Sequence, residues 1–265
     1  MNNIGIIGLG FVGSAILKSF KIKNYSVEGY DKYKDGGIGN LQNMFKKTLL
    51  FLCLPTPYND IKKFYDISSL NETCQLLKNN NFEGYVIIKS TVEPNTTNNL
   101  SEKYGLKLIH NPEFLSAATA FHDFHNQKHI VLGKGINVSD SELKNISDFY
   151  CSGYPNAEIS LVDSVESEAM KLFANSFYAT KIQFFNELYL LCQSINCNYD
   201  LIKNLMLKNK WINPMHTNVP GKNGQLSYGG YCFPKDTNAL LSFMKLNKSK
   251  FKVLEAVITE RNEMR

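Results

Sequence analysis

The chain has 265 residues, 43% of them hydrophobic and 20% charged, with a formal net charge of +5. That length can bury a full core and hold one large or two small domains. No apolar run approaches the roughly 20 residues of a membrane helix, and the mild, lysine-dominated charge lacks the clustered basic face of a nucleic-acid binder. Six cysteines, at 53, 74, 151, 192, 197 and 232, form neither a compact disulfide framework nor a metal-ligand spacing. With the first strand starting too near the amino terminus for a signal peptide, they imply a reducing, cytoplasmic setting and no metal centre.

The first apolar run, residues 3–7, leads into Gly8-Leu9-Gly10-Phe11-Val12-Gly13 and then a stretch of helical spacing over 14–20. This is strand, glycine turn, helix. Gly8 makes the tight turn, Gly10 lets the backbone approach a pyrophosphate, and Gly13 lets helix and strand pack closely. The helix N-terminus then faces the phosphates. A second strand over 26–30 ends in Asp31, eighteen residues after Gly13. There a carboxylate meets an adenosine ribose 2′-hydroxyl and favours NAD over NADP. The same aspartate also fits an ordinary strand-end turn, and the neighbouring Lys32 and Lys34 are cations compatible with a 2′-phosphate.

Further apolar runs over 48–54, 85–89, 106–110 and 129–132 alternate with helical stretches over 67–78 and 94–103. Alternation of this kind predicts an α/β fold with a parallel, doubly wound, Rossmann-type sheet. Ligands of such sheets bind beyond the carboxyl ends of the strands. Those ends carry Pro55-Thr56-Pro57, Ser90-Thr91-Val92-Glu93-Pro94 and Asn111-Pro112-Glu113-Phe114-Leu115. Structural turns account for the prolines but not for the recurrence of Thr, Ser and Glu.

Residues 163–195 read as one long helix without Pro or Gly, a length that suggests a connecting or dimer-forming element. Lys171 and Asn175 stand four apart on one face of it; a lysine snorkelling over an apolar surface is the alternative for Lys171. Residues 213–231 are rich in Gly and Pro and read as a loop, and another helix starts at 251. Between them lies Gly229-Gly230-Tyr231-Cys232-Phe233-Pro234-Lys235-Asp236. A cationic neighbour such as Lys235 favours thiolate, the nucleophilic form of cysteine. Asp236, one helical turn from Cys232, is placed to handle protons. An inert buried cysteine beside a helix start fits the same residues.

Taken together, Gly8–Gly13, Leu54-Pro55-Thr56-Pro57, Lys89-Ser90-Thr91-Val92, Asn111-Pro112-Glu113-Phe114-Leu115, Asp123-Phe124, the 129–133 run, Glu168-Ala169-Met170-Lys171-Leu172-Phe173-Ala174-Asn175 and the 228–236 segment resemble the UDP-glucose/GDP-mannose dehydrogenase family. They follow the family's order across nearly the whole chain. The resemblance implies a Rossmann NAD-binding domain over 1–160 and a mainly helical central and dimerisation domain over 161–265. It implies two successive oxidations of a sugar C6 hydroxyl to a carboxylate, with UDP-glucose the leading substrate and GDP-mannose or a UDP-N-acetylhexosamine the alternatives. Cys232 would form a thiohemiacetal and then a thioester; Lys171 and Asn175 would stabilise the oxyanion; Asp236 would manage the alcohol proton; Glu113, through Thr91 and water, would assist thioester hydrolysis. NAD would be held by Gly8, Leu9, Gly10, Phe11, Val12, Gly13, Asp31, Lys32, Pro55, Thr56, Pro57, Ser90, Thr91 and Lys235. The sugar nucleotide would be held by Glu113, Phe114, Leu115, Lys171, Asn175, Tyr228, Gly229 and Cys232.

Three departures from the family pattern stand out. Ala117 occupies the place of a second glutamate. Only 22 residues lie between Asp31 and Leu54, so the third β-α unit is trimmed. The family's carboxyl-terminal nucleotide-binding domain has no counterpart, and the two arginines, Arg261 and Arg265, come too late to clamp a diphosphate, leaving that task to Lys208, Lys210, Lys222 and backbone amides near 221–230. A truncated paralogue that binds NAD and dimerises without turnover is therefore the rival to an active enzyme.

Overall fold

The computed structural model describes residues 3–265. Its elements in chain order are β1 (Ile4–Ile7), α1 (Phe11–Ile22), β2 (Val27–Tyr30), α2 (Leu41–Met44), β3 (Leu49–Leu52), β4 (Tyr58–Asn59), β5 (Phe64–Tyr65), α3 (Ser68–Asn79), β6 (Tyr85–Ile88), α4 (Thr96–Tyr104), β7 (Lys107–His110), α5 (Ala120–His125), β8 (His129–Lys134), α6 (Asp140–Gly153), β9 (Glu158–Asp163), α7 (Ser164–Ser194), α8 (Tyr199–Leu207), α9 (Phe233–Leu246) and α10 (Lys252–Met264). The chain divides into two compact units. One comprises the described residues up to Pro57 with Tyr65–Lys171; the other comprises Tyr58–Phe64 and Leu172–Arg265.

The first unit is built on a seven-stranded sheet of order β2-β1-β3-β6-β7-β8-β9. Its central strands are apolar on both faces, as expected of strands covered by helices on each side. Ile4, Ile6, Leu49, Phe51, Ile87 and Ile109 pack with Ala15, Ile16 and Phe20 of α1 and with Phe124, Ile146 and Phe149 of α5 and α6. The alternate positions, Ile7, Leu50, Leu52, Val86, Ile88 and Leu108, pack with Leu70, Cys74 and Leu77 of α3 and with Leu100 and Tyr104 of α4. This period-two division of each strand between two cores is what the β pleat requires.

The sheet is the parallel, doubly wound, Rossmann-type sheet expected, with one exception: β8 runs antiparallel to β7 through the Ile109–Lys134 and His110–Gly133 pairs. A parallel crossover needs a dozen or more residues returning along the sheet, usually as a helix. The only helix between β7 and β8 is the six-residue α5, too short to make that return. Not anticipated were α2, the small β4-β5 hairpin, α5, α6, β9 and α8. Of these, α6 carries a plain local signal, a capping box in which Ser139 and Glu142 serve each other's backbone N–H groups.

A buried carboxylate ties the start of α7 to α4. Glu168 is fully buried and accepts hydrogen bonds from the Asn95 and Thr97 N–H groups, each at 2.7 Å, at the N-terminal end of α4. Burial pushes its carboxyl up to about 7, against those two N–H groups. A carboxyl raised above its ordinary 4.5 contributes stability that is complete below that value and lost as pH rises through about 7. The wild-type fold should therefore weaken across this window by on the order of 3 kcal/mol from this group. Glu168→Gln, which cannot ionise, should flatten the dependence. Urea midpoints of both proteins at about pH 5 and about pH 8 check this; equal pH slopes would contradict it.

Candidate active site

In the first unit, the glycine turn after β1 has the anticipated division of labour. Gly8 has φ +90°, and a Cβ there would lie 2.4 Å from the Cys53 carbonyl oxygen. A Cβ on Gly13 would lie 1.9 Å from the Gly8 carbonyl oxygen. Both glycines are thus required by the protein's own packing. Gly10 differs, since a Cβ there would meet nothing within 4 Å. It is the N-cap of α1 and no side chain caps that helix end, which leaves backbone N–H groups directed at open space.

Asp31 closes the other side of this turn. Its Oδ2 accepts the Leu9 N–H at 2.7 Å, and its Oδ1 accepts the N–H groups of Tyr33 and Lys34 at 3.0 and 2.9 Å. Burial opposes its charge, but these backbone donors and the Lys34 ammonium outweigh it and hold the carboxyl below its ordinary range. Asp31 is therefore more than a strand-end turn residue. Lys34 Nζ donates to the Leu9 carbonyl at 2.8 Å and to Ser14 Oγ at 3.2 Å, whereas Lys32 pairs with Glu72 of α3. An open Gly10, an uncapped helix start and an ionised Asp31 are together a cradle that fits a dinucleotide.

With room for a side chain at residue 10, Gly10→Val should fold, with at most a small drop in melting point because Val is a poorer N-cap residue than Gly. It should still lose NAD affinity by about tenfold or more, because the pyrophosphate needs the glycine backbone. Isothermal titration of both proteins tests this, and equal affinities would refute the assignment.

The carboxyl ends of β3, β6 and β7 are locked together. Ser90 Oγ donates to the Leu54 carbonyl at 2.6 Å and accepts its N–H at 3.1 Å. Thr56 Oγ1 donates to the Thr91 carbonyl at 2.7 Å. Asn111 Oδ1 accepts from the buried Lys89 ammonium at 2.8 Å and from Tyr150 OH at 2.7 Å, while its Nδ2 donates to the Val131 carbonyl at 2.7 Å. Burial outweighs the nearby Glu113 charge and lowers Lys89 to about 8. This lattice sets the Asn111-Pro112-Glu113 turn. Glu113 Oε2 accepts the Leu115 N–H at 2.6 Å. Lys171 Nζ donates to the Glu113 carbonyl at 2.5 Å and faces its Oε1 at 3.4 Å, with the Phe114 ring 5.4 Å away. At 5% side-chain exposure Lys171 does not snorkel; its ammonium is buried against Glu113.

In the second unit, Cys232 is the N-cap of α9, and its carbonyl accepts the Asp236 N–H at 3.0 Å. A helix N-terminus favours negative charge on groups placed there. Pro234 in the first turn suits a helix start. Asp236 is fully buried; its Oδ2 accepts Asn175 Nδ2 at 2.6 Å and its Oδ1 accepts Lys235 Nζ at 2.5 Å. Lys235, expected at the cofactor, is thus paired with Asp236. Asn175 lies 61 residues before its partner, one turn after Lys171 on α7. The unit brings together Cys232, Lys235, Asp236 and Asn175; the first unit brings together Glu113, Phe114, Leu115 and Lys171. Sequence reading gave Glu168 and Lys89 no role, and it took Lys34 only as a cation near a 2′-phosphate, not as a partner of the glycine turn. None of the three had a local signal; Glu168 lies among the polar Ser164, Glu166, Ser167 and Lys171.

Among the described residues no group of three or more His, Cys, Asp or Glu side chains could hold a metal ion, and no helix is long and apolar enough to cross a membrane.

Residues 38–150 match the model of the NAD binding domain, and residues 165–263 that of the central domain, of the UDP-glucose/GDP-mannose dehydrogenase family. The chain is 30% identical to a UDP-glucose 6-dehydrogenase of Campylobacter jejuni over 99% of its own length and 72% of that protein's. A UDP-glucose 6-dehydrogenase of Rickettsia bellii is 38% identical over 67% of this chain and 41% of its own. In structure the chain is similar to a UDP-glucose dehydrogenase of Pyrobaculum islandicum, with a TM-score of 0.86 at 23% identity, covering 99% of this chain and 68% of that one. The chain thus spans between about two fifths and three quarters of these relatives.

Proposed function

The chain belongs to the UDP-glucose/GDP-mannose dehydrogenase family, and from that premise we propose that it is an NAD-dependent nucleotide-sugar 6-dehydrogenase whose substrate is UDP-glucose and whose product is UDP-glucuronate. The observation that carries the reading is the Cys232-Asp236-Lys235-Asn175 constellation, in which a cysteine at a helix N-cap position stands one turn from a buried, doubly hydrogen-bonded carboxylate. A carbon that loses two hydrides without release of the aldehyde requires covalent capture, and a cysteine thiolate provides it. The glycine turn, Asp31 and Lys34 would hold NAD, which supplies a hydride acceptor. Asp236 takes the alcohol proton. Cys232 Sγ adds to the C6 aldehyde to form a thiohemiacetal, whose oxidation leaves a thioester. Asn175 and Lys171 donate to the oxyanion, often the largest catalytic contribution. Glu113, with Thr91 and without a second acid because Ala117 replaces it, directs the hydrolytic water and frees the thiol. Residues 1–160 serve as the NAD-binding domain and 161–265 as the central domain, with Lys208, Lys210 and Lys222 near the diphosphate. Six free cysteines agree with a reducing, cytoplasmic setting.

NADH formation by the chain alone with UDP-glucose, GDP-mannose and a UDP-N-acetylhexosamine tests the proposal. Two NADH per UDP-glucose supports it. Preference for another sugar nucleotide corrects the substrate, and NAD binding without turnover on any of them favours the non-catalytic paralogue.

The second unit further supports a homodimer. Phe173, Phe177, Phe184 and Leu191 of α7 are 56%, 64%, 53% and 53% exposed, as are Leu201 and Leu205 of α8 at 59% and 54%. An apolar stripe this long is unusual on a monomer surface, and packing of the same helix from a second copy would cover it. Sedimentation at micromolar concentration should give a dimer, and Phe177→Glu with Phe184→Glu a folded monomer. A monomeric wild type would contradict this.

A further inference from the structure

The loop entering the Cys232 turn is held from two sides within the second unit. From α7, Gln183 and Asn186, both buried, grip Ser227: Gln183 Oε1 accepts the Ser227 hydroxyl at 2.5 Å, and Asn186 Oδ1 accepts its N–H at 2.8 Å. Ser227 has φ +55°, a left-handed conformation that a serine holds only when its surroundings impose it. From α10 and the residue that follows it come the two arginines of the chain, Arg261 and Arg265. Arg261 Nε donates to the Tyr228 carbonyl at 3.3 Å, with its guanidinium 5.8 Å from the buried Tyr228 ring. Arg265 Nε donates to the Leu226 carbonyl at 2.9 Å. Gln183 also donates to Glu260 Oε2 at 3.1 Å, which joins the two grips.

Gly229 records the same clamp. A Cβ there would lie 2.0 Å from Arg265 Nη1 and 2.6 Å from its Cζ. The glycine does not have a positive φ, so backbone conformation does not demand it. What excludes a side chain at 229 is the guanidinium lying across it.

We infer that Arg261 and Arg265 are positioning residues for Cys232: they fix the 226–229 backbone so that the thiol is delivered to the N-cap of α9. Arginine suits this task because its planar, permanently charged fork makes directional bonds to carbonyl oxygens. Two arginines in 265 residues, both bound to the backbone of one loop, are thereby committed to that loop. The inference rests on reading Cys232 as the nucleophile, but the clamp can be examined without turnover.

The test is the rate at which iodoacetamide alkylates Cys232 in the full chain at about pH 7.5, read by peptide mass mapping, with the exposed Cys151 as internal control and the buried Cys74 as a reporter of unfolding. The variants are Arg261→Met, Arg265→Met, Arg265→Lys and Gly229→Ala. If the clamp holds the thiol at the N-cap, where the helix end favours thiolate, Arg265→Met and Arg261→Met should each slow Cys232 alkylation by about threefold to tenfold, with Cys151 unchanged and Cys74 protected. Arg265→Lys, which keeps a donor, should recover part of the rate. Gly229→Ala should slow the reaction as Arg265→Met does, because its methyl displaces only the flexible guanidinium. Should the methionine variants unfold, as Cys74 labelling would reveal, Gly229→Ala retains both arginines and decides the matter. Rates at Cys232 within about 1.5-fold of wild type in the folded variants would overturn the inference. A wild type that alkylates normally but forms no NADH would count against the proposed activity and leave the clamp standing.

Discussion

Cys232→Ser should abolish four-electron turnover, by more than about a thousandfold, because a serine hydroxyl at neutral pH is a far poorer nucleophile than a thiolate. The loss should fall on one half of the reaction. Removal of the first hydride needs an alcohol, a base and an acceptor but no thiol, so a slow conversion to the aldehyde should survive, and one NADH per sugar nucleotide should replace two. The other cysteines offer no substitute. Burial pushes the Cys53 and Cys74 thiols up to about 12, so both stay protonated and unreactive. Alanine replacements at 53, 74, 151, 192 and 197 should leave the stoichiometry at two. Full turnover by Cys232→Ser would end the covalent reading.

Asp236→Asn should be nearly as damaging, for a different reason. The Asp236 carboxylate is fully buried and receives Asn175 Nδ2 on one oxygen and Lys235 Nζ on the other. An asparagine keeps the shape but replaces one acceptor oxygen by an NH2 donor, which must face one of these two donors. A buried donor left unsatisfied costs about 1–3 kcal/mol, so a lower urea midpoint is expected. The alcohol proton also loses its acceptor, a general-base contribution of about 10²–10⁴-fold. The expected result is a kcat lower by at least about a hundredfold with KM for NAD little changed, since the glycine turn and Asp31 lie in the other unit. Steady-state kinetics checks this; a kcat within about threefold of wild type would show that Asp236 is structural alone.

Much of this protein was determined by local sequence. The glycine turn was legible because Gly8 and Gly13 answer contacts within or beside the turn, and Asp31 because its distance from Gly13 is set by one β-α-β unit. The long helix α7 was legible because 31 residues contain no breaker, and the Cys232 turn because its groups lie within one helical turn of each other. The alternating strands and helices followed from apolar periodicity. What tertiary structure alone decided involves partners far apart in the chain, which no window of sequence contains. The antiparallel β8 depends on the return path after β7. The state of Lys171, which the sequence left open between snorkelling and function, depends on a carbonyl 58 residues away. Glu168 became a buried cap only when α4, 71 to 73 residues earlier, was laid across it. Arg265 reaches a loop 39 residues back. Charged and amide side chains are permissive in local propensity. Where they are buried, desolvation makes an unmatched partner costly, and the partner is chosen by which elements the fold packs together.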